Sequence, residues 1–186
     1  MKKILVLCLV AVMSLGLLTA CGGNDTKVDP EFNTPTELLK AVWNEYGENE
    51  VFEAGYMNEA GEITEGPADF GHPESSEALL AIPSDVMTRF KTSAILMHLM
   101  NGNTFTAGAF EVDQNADFDE TAKSVNDGIM SNRWMCGSPE KMIVAKVGDN
   151  YLVSAFGTED NINVFKDKLT SVFSSTQILF EEVITG

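Results

Sequence analysis

Residues 91–112 read KTSAILMHLMNGNTFTAGAFEV, and this stretch decides the fold because it carries the clearest strand signal of the chain. Both alternating faces over positions 95–100 are mostly apolar, which is typical of a strand covered on both sides. Asn101 and Gly102 then have the sequence of a two-residue type I′ turn, since both tolerate a positive φ. We therefore predict a central hairpin in which residues 104–112 return antiparallel to the first strand.

A helix, a second hairpin and another helix follow this first hairpin. Apolar residues recur at helical spacing over 117–131, behind acids that suit a helix N-terminus, and again in a helix capped by Thr158. Residues 142–147 and 151–156 predict the second hairpin. This order predicts an α+β fold with an antiparallel sheet of about four strands, built from two hairpins, with both helices packed on one face.

The segments on either side of this core are predicted from local signals. Thr34-Pro35-Thr36-Glu37 combines a capping box with proline at the first helical position, which predicts a helix over 35–46 on the other face of the sheet. The apolar tail over 177–184 fits either a last strand or a docking helix. Local signals also predict an edge strand over 51–57 and a long loop rich in Gly and Pro over 58–73. Two short helices are predicted over 76–80 and 84–90.

The first 21 residues have the pattern of an export leader. Lys2 and Lys3 precede an uncharged apolar run over 4–18, which as a helix would reach about 22 Å, short of the ~30 Å hydrocarbon core. Leu18-Thr19-Ala20-Cys21, which closes the run, resembles the lipobox of bacterial lipoproteins. The resemblance implies cleavage between Ala20 and Cys21, a thioether-linked diacylglyceryl group on Cys21 and attachment to the extracytoplasmic face of the cell membrane. The alternative is an ordinary export signal with a chance cysteine.

The predicted cleavage divides the chain into a leader over residues 1–20, a lipidated flexible tether over 21–33 and one globular domain over 34–186. The tether contains Gly, Asn, Asp and Pro without an apolar period. Cleavage removes Lys2 and Lys3 and changes the net charge from −16 to −18. A chain this acidic repels nucleic acid and anionic lipid, so attachment to the membrane must come from the acyl chains.

A candidate calcium site lies just before the helix over 117–131. Oxygen-bearing side chains alternate there as they do at the start of an EF-hand loop. The sixth position of that loop is Phe118 instead of Gly, and the twelfth is Ser124 instead of the bidentate Glu. We therefore expect an acidic helix-capping turn, with no metal and no other cofactor. The four candidate ligands are Asp113, Asn115, Asp117 and Asp119.

Catalysis has one candidate pair, formed by a cysteine and a histidine. Cys136 is the only thiol that remains once the leader is removed and Cys21 is lipidated. A nucleophile needs a base within hydrogen-bond reach, whereas His98 lies in the predicted core strand and His72 in a loop beside Pro73. We therefore expect no catalytic residue.

The charge pattern is uneven, because residues 41–88 contain eleven acids and no Lys or Arg. Such a stretch either forms a solvated face or attracts a cationic partner. The order of the elements is similar to that of small bacterial lipoproteins that carry a domain of unknown function, and this likeness implies no site residues.

We expect a lipid-anchored extracytoplasmic protein with a non-catalytic binding or accessory role at the cell envelope. Its partner would be an envelope protein or a small cationic ligand, and not nucleic acid. The alternative is a small envelope hydrolase that acts on peptidoglycan or peptides.

Overall fold

The computed structural model describes residues 29–58, 60–71, 73–135 and 137–185. Within these residues the chain has an α+β fold, with one open antiparallel sheet of eight strands and five α-helices. The predicted sheet of about four strands therefore understates its size. The strands are β1 (Ala54–Met57), β2 (Ile63–Glu65), β3 (Ala68–Asp69), β4 (Phe90–His98), β5 (Phe105–Val112), β6 (Lys141–Val147), β7 (Tyr151–Gly157) and β8 (Gln177–Val183). The helices are α1 (Pro35–Trp43), α2 (Ser76–Leu79), α3 (Ser84–Met87), α4 (Phe118–Ser131) and α5 (Glu159–Val172), with a 3-10 turn at Pro73–Ser75.

The sheet has the strand order β2-β1-β4-β5-β7-β6-β8, and β3 pairs with β4 beside β1. The two predicted hairpins, β4–β5 and β6–β7, are confirmed and form the centre. The predicted edge strand β1 is not at the edge, because β2 pairs outside it. The predicted loop over 58–73 contains β2 and β3. The tail over 177–184 forms strand β8, which pairs with β6.

The two long helices lie on opposite faces of the sheet, so the prediction of one shared face is wrong. α5 packs with α1 on one face, and α4 packs with α3 on the other. The connections β5–α4–β6 and β7–α5–β8 each skip one strand in the same direction across the sheet, but β5 and β7 are antiparallel. Two crossovers of the same hand must then use opposite faces, and the right-handed crossover is strongly preferred.

Strand β4 is covered on both sides, as its sequence predicts. Ile95 and Leu96 are both fully buried, and they belong to separate hydrophobic clusters on the two faces. On the face under α1 and α5 the central strands contribute small side chains, including Ala107, Ala109 and Ala145. Short side chains on the sheet leave room there for Phe105 and for the large apolar residues of the two helices.

The helix N-termini form as the sequence predicts. Side-chain oxygens of Thr34, Asp117 and Thr158 accept hydrogen bonds from the backbone N–H three residues further on, at 3.2, 2.9 and 3.4 Å respectively. These caps satisfy backbone donors that lack a partner within the helix. α1 ends at Trp43, three residues before the predicted end at 46.

The hairpin between β4 and β5 has the predicted register but not the predicted turn. Met97 pairs with Thr106, which centres the hairpin on residues 101–102. Neither of those two residues has a positive φ, so the type I′ prediction is wrong. On its other edge the end of β4 pairs with β1, and the N–H of Leu99 donates to the carbonyl of Glu53 at 2.9 Å. The connection between β4 and β5 spans residues 99–104.

Residues 29–33, which the sequence assigns to the tether, pack on the domain, and we call them the strap. The Phe32 ring lies 4.8 Å from that of Tyr151 and 5.0 Å from that of Phe173, measured between centroids. The chain therefore contacts the domain from Asp29 onward, five residues before the predicted boundary at Thr34. The predicted leader, the lipobox and the first part of the tether lie outside the described residues. Within the residues that are described, no helix is both long enough and apolar enough to cross a membrane.

Candidate interaction surface

The two ends of the sheet differ in what they carry. Phe105 pairs with Gly157, and Gly157 with Lys141, so the loops over 99–104 and 132–140 meet at one end. We call this the methionine end, after the methionines at positions 100 and 135. The other end holds the 148–150 turn and the strap, and we call it the strap end.

Exposed apolar side chains concentrate at the methionine end. Met100 is 78% exposed and Met135 is 81% exposed, the two largest values among the large apolar residues that the structure describes. Val51, which precedes β1, and Val183, at the end of β8, are also more than half exposed at this end. Unbranched, polarisable methionine side chains on a surface adapt to the shape of an apolar partner.

A polar clamp holds the two methionine-bearing loops together. The side-chain amide of Asn103 donates to the carbonyl of Met135 at 2.8 Å and to that of Gly137 at 2.6 Å. The turn is closed by Thr104, whose N–H and hydroxyl both donate to the carbonyl of Asn101, at 3.0 and 2.7 Å. Met100 and Met135 are therefore exposed on two loops that the Asn103 side chain joins by hydrogen bonds.

An aromatic cluster supports this end from one face of the sheet. Phe52 stacks on His98 at 5.3 Å with an interplanar angle of 9°, and its ring also contacts Trp43 and Phe105. Tyr46 lies 4.6 Å from Trp43, between ring centroids. Aromatic pairs at these distances add stability beyond that of the area they bury.

Tyr46 is the unusual member of the cluster, because its hydroxyl is buried without a hydrogen-bond partner in the described structure. Burial raises the pKa of this hydroxyl, and the Glu50 carboxylate raises it further. Glu50 itself pairs with Lys168 at 2.8 Å, and the Lys168 ammonium lies 5.8 Å from the centroid of the Tyr46 ring. The Glu50–Lys168 ion pair thus joins the acidic stretch to α5.

The candidate catalytic pair is not brought together by any described contact. Cys136 and His72 both lie outside the described residues. His98 is at the end of β4, where its Nδ1 accepts a hydrogen bond from the N–H of Met100 at 3.2 Å. Its ring also stacks on Phe52, so the contacts of His98 that the structure describes serve the methionine end.

Three of the four candidate calcium ligands, Asp113, Asn115 and Asp117, line a surface cleft of about 390 Å³ at the strap end. Asp113 Oδ1 accepts hydrogen bonds from both the backbone N–H and the side-chain amide of Asn115, at 2.8 Å each. These bonds hold the pKa of the Asp113 carboxyl below its ordinary value. Asp117 caps α4, and Asp119 lies exposed in its first turn.

The same cleft contains a cation, the guanidinium of Arg89. Arg89 Nη1 lies 3.5 Å from a carboxylate oxygen of Glu120 and 3.3 Å from the hydroxyl of Ser124. A positive charge next to the acids opposes the binding of another cation. Among the described residues, no group of three or more His, Cys, Asp or Glu side chains is arranged to hold a metal ion.

The acidic stretch over 41–88 supplies one lateral edge of the sheet and the short helices beside it. Several of its acids have partners: Glu50 pairs with Lys168, Asp69 accepts a hydrogen bond from the Thr36 hydroxyl, and Glu77 accepts one from the N–H of Ser84. Tyr56 and Phe70 are buried in the core. The stretch is therefore partly built into the fold, and not only a solvated face.

Two functional features were missed from the sequence. Asn103 stood between the predicted turn at 101–102 and the predicted return strand over 104–112, and nothing in its neighbours marks it as a clamp for a loop some thirty residues away. The strap had one signal, the isolated aromatic Phe32 between Pro30 and Pro35, which a tether does not need.

Comparison with protein-family models, with curated proteins and with solved structures finds no match to this chain.

Proposed function

We propose that this chain is a lipid-anchored extracytoplasmic protein of the cell envelope that works by binding a partner protein, without catalysis. The anchor is the diacylglyceryl group expected on Cys21 of the lipobox. The partner binds at the methionine end. The observation that carries the proposal is the exposure of Met100 and Met135, at 78% and 81%, on loops fixed by Asn103.

The chemistry of this end favours an apolar partner surface. Flexible methionine side chains adapt to the shape of a partner, and their burial removes apolar area from water. The loops that carry them are already held by hydrogen bonds, so less backbone entropy is lost on binding. Most other exposed side chains of this acidic chain are polar or charged, which sets the methionine end apart.

Site-specific photo-crosslinking in the native envelope tests the proposal. A photo-crosslinking amino acid replaces Met100 or Met135 in the full lipoprotein, and the matched control is the same replacement at Met57. Met57 is also an exposed methionine, at 57%, but it lies on β1, where it pairs with Ile63 of β2. We expect one discrete adduct from positions 100 and 135, identified by mass spectrometry, and none from position 57.

The opposite results contradict the proposal in different ways. No adduct from positions 100 and 135, or the same adducts from all three positions, would exclude the methionine end as the binding surface. Release of soluble fragments from purified cell-wall material by the untethered domain would support a hydrolase instead. An unmodified Cys21 in the purified native protein, found by mass spectrometry, would remove the lipid anchor.

A further inference from the structure

We propose that the strap orients the domain on the membrane, with the strap end facing the bilayer and the methionine end pointing away from it. This inference rests on the lipid attachment of Cys21 in the proposed function. It adds a direction to that function, because an anchored protein that presents its binding surface outward reaches partners in the envelope beyond the membrane surface.

The strap begins with a carboxylate held at the end of α5. Asp29 Oδ1 accepts the N–H of Ser174 at 2.8 Å, and Oδ2 accepts that of Ser175 at 3.2 Å. These bonds to backbone N–H groups keep the pKa of Asp29 below its ordinary value, so the carboxylate stays ionised at neutral pH. The Ser175 hydroxyl accepts the N–H of Gly148 at 3.3 Å, which ties this point to the 148–150 turn.

The rest of the strap is fixed by an aromatic residue and a tyrosine hydroxyl. Phe32 packs edge-on against Tyr151 and Phe173, at centroid distances of 4.8 and 5.0 Å. The Tyr151 hydroxyl donates to the carbonyl of Asn33 at 3.1 Å. Thr34 then caps α1, so polar or aromatic contacts hold the chain from Asp29 into the first helix.

The length of chain before the strap limits where the domain can stand. Eight peptide units join Cys21 to Asp29, and such a segment spans at most roughly 26–29 Å when fully extended. If the chain were undocked as far as Thr34, thirteen peptide units would allow roughly 43–47 Å. Docking of the strap therefore removes about two fifths of the possible reach.

The strap end is then the end that the lipid holds near the membrane. Strand β7 has seven residues between the two ends, and strands of this length separate their ends by about 20 Å. With the methionine end against the bilayer, Asp29 would stand at least that far from the surface, so the link from Cys21 would be stretched to about 70% or more of its maximum length. With the strap end toward the bilayer, no such extension is needed.

The strap end is acidic, and its negative charge keeps its side chains out of the bilayer. Asp29, Glu31 and Asp149 lie there, together with the acids of the cleft around Asp113. Carboxylates are repelled by anionic headgroups within a Debye length of about 8–10 Å. The acyl chains therefore hold this end near the bilayer, and its side chains do not insert into it.

Energy transfer to a labelled bilayer measures the orientation. The full lipoprotein with Cys136→Ser is inserted into phosphatidylcholine vesicles that contain an acceptor-labelled headgroup lipid. A donor is attached to Asp149→Cys at the strap end or to Ser138→Cys at the methionine end, both exposed positions. Because the two ends are about 20 Å apart, we expect roughly twofold higher transfer from position 149.

Variants of the strap test its role directly. Asp29→Ala with Phe32→Ser releases both contacts, and Glu31→Ala, an exposed position within the strap, is the matched control. We expect the double variant to equalise the transfer from the two labels, while Glu31→Ala keeps the difference. Circular dichroism of each variant checks that the domain remains folded, and the pair of labels on the unaltered strap tests the orientation whether or not the double variant folds.

The outcomes separate this inference from the proposal on which it rests. If the lipoprotein does not float with the vesicles, the lipid attachment is wrong and the orientation is wrong with it. If it floats but both labels transfer equally, or position 138 transfers more, the lipid attachment stands and the orientation alone is overturned. If Glu31→Ala and the double variant both remove the difference in energy transfer between positions 149 and 138, the contacts of Asp29 and Phe32 are excluded as the cause of the orientation.

Discussion

Replacing Tyr46 with Phe is expected to stabilise the protein, although tyrosine-to-phenylalanine changes in a core usually remove a hydrogen bond. The Tyr46 hydroxyl is buried at the aromatic cluster and has no partner in the described structure. Its ring contacts, with Trp43 at 4.6 Å and Phe52 at 6.4 Å, are all available to phenylalanine. Tyr46→Phe therefore removes only the cost of burying an unsatisfied hydroxyl, which is about 1–3 kcal/mol.

The same substitution changes how stability depends on pH. Burial raises the pKa of Tyr46 above its ordinary value of 10.0, so the folded state keeps a proton that the unfolded state releases above pH 10. The unfolding free energy of the natural protein then falls by about 1.4 kcal/mol per pH unit from this group alone. Tyr46→Phe lacks this loss, so its advantage is constant near neutral pH and widens above pH 10.

Urea denaturation followed by circular dichroism at pH 7, 9, 10 and 11 measures both effects. Tyr151→Phe is the matched control, because the Tyr151 hydroxyl donates to the Asn33 carbonyl at 3.1 Å. Loss of that bond is expected to lower stability by about 0.5–1.5 kcal/mol, the opposite sign at pH 7. If Tyr46→Phe destabilises the protein as Tyr151→Phe does, the Tyr46 hydroxyl has a partner in solution and the reasoning is refuted.

Two other substitutions test packing and charge. Gly128→Ala adds a methyl group 2.7 Å from the carbonyl oxygen of Ala81. The cost of overpacking, about 1–3 kcal/mol, should outweigh the gain in helix propensity of about 1 kcal/mol, so we expect a lower unfolding free energy. A higher urea midpoint would contradict this. Glu181 lies 2.7 Å from the ammonium groups of both Lys141 and Lys166. These two lysines, Lys141 more than Lys166, hold the pKa of the Glu181 carboxyl below its ordinary value of 4.5. The two ion pairs stabilise the folded state above pH 4.5, and this stabilisation is lost as the pH falls through the pKa of Glu181 in the folded state. We therefore expect Glu181→Gln to flatten the fall of the unfolding free energy at acid pH. An unchanged fall would show that the three charges do not interact.

The sequence predicted best where one segment contains its own signal. The caps at Thr34, Asp117 and Thr158 and the helical stripes behind them all formed, because capping and amphipathic spacing are local. The two central hairpins were found for a similar reason, since both faces of β4 and of β6 and β7 read as apolar. The short strands β2 and β3 had no such signal: Ile63–Glu65 is exposed throughout and Ala68–Asp69 has only two residues. They are strands because β1 and β4 offer backbone partners.

The candidate surface was harder to predict than the fold. Met100 was expected on a face of the central strand, but β4 ends at His98, and Met100 lies in the connection that follows with its side chain exposed. Asn103 reaches residues 135 and 137 across a gap that no sequence window covers. Phe32 is a single aromatic in a polar segment, and its role as part of the strap depends on Tyr151 and Phe173, which are far along the chain.

By itself, the sequence determined which segments are helices and central strands, the register of the first hairpin and the net charge of −16. Tertiary structure alone decided which face each helix covers, which strands widen the sheet, how the first turn is shaped and where the strap docks. The physical reason is that the local periodicity of a segment indicates that one of its faces is buried but does not indicate which other element packs against that face. That choice depends on the hand of the crossovers and on backbone partners far away in the chain.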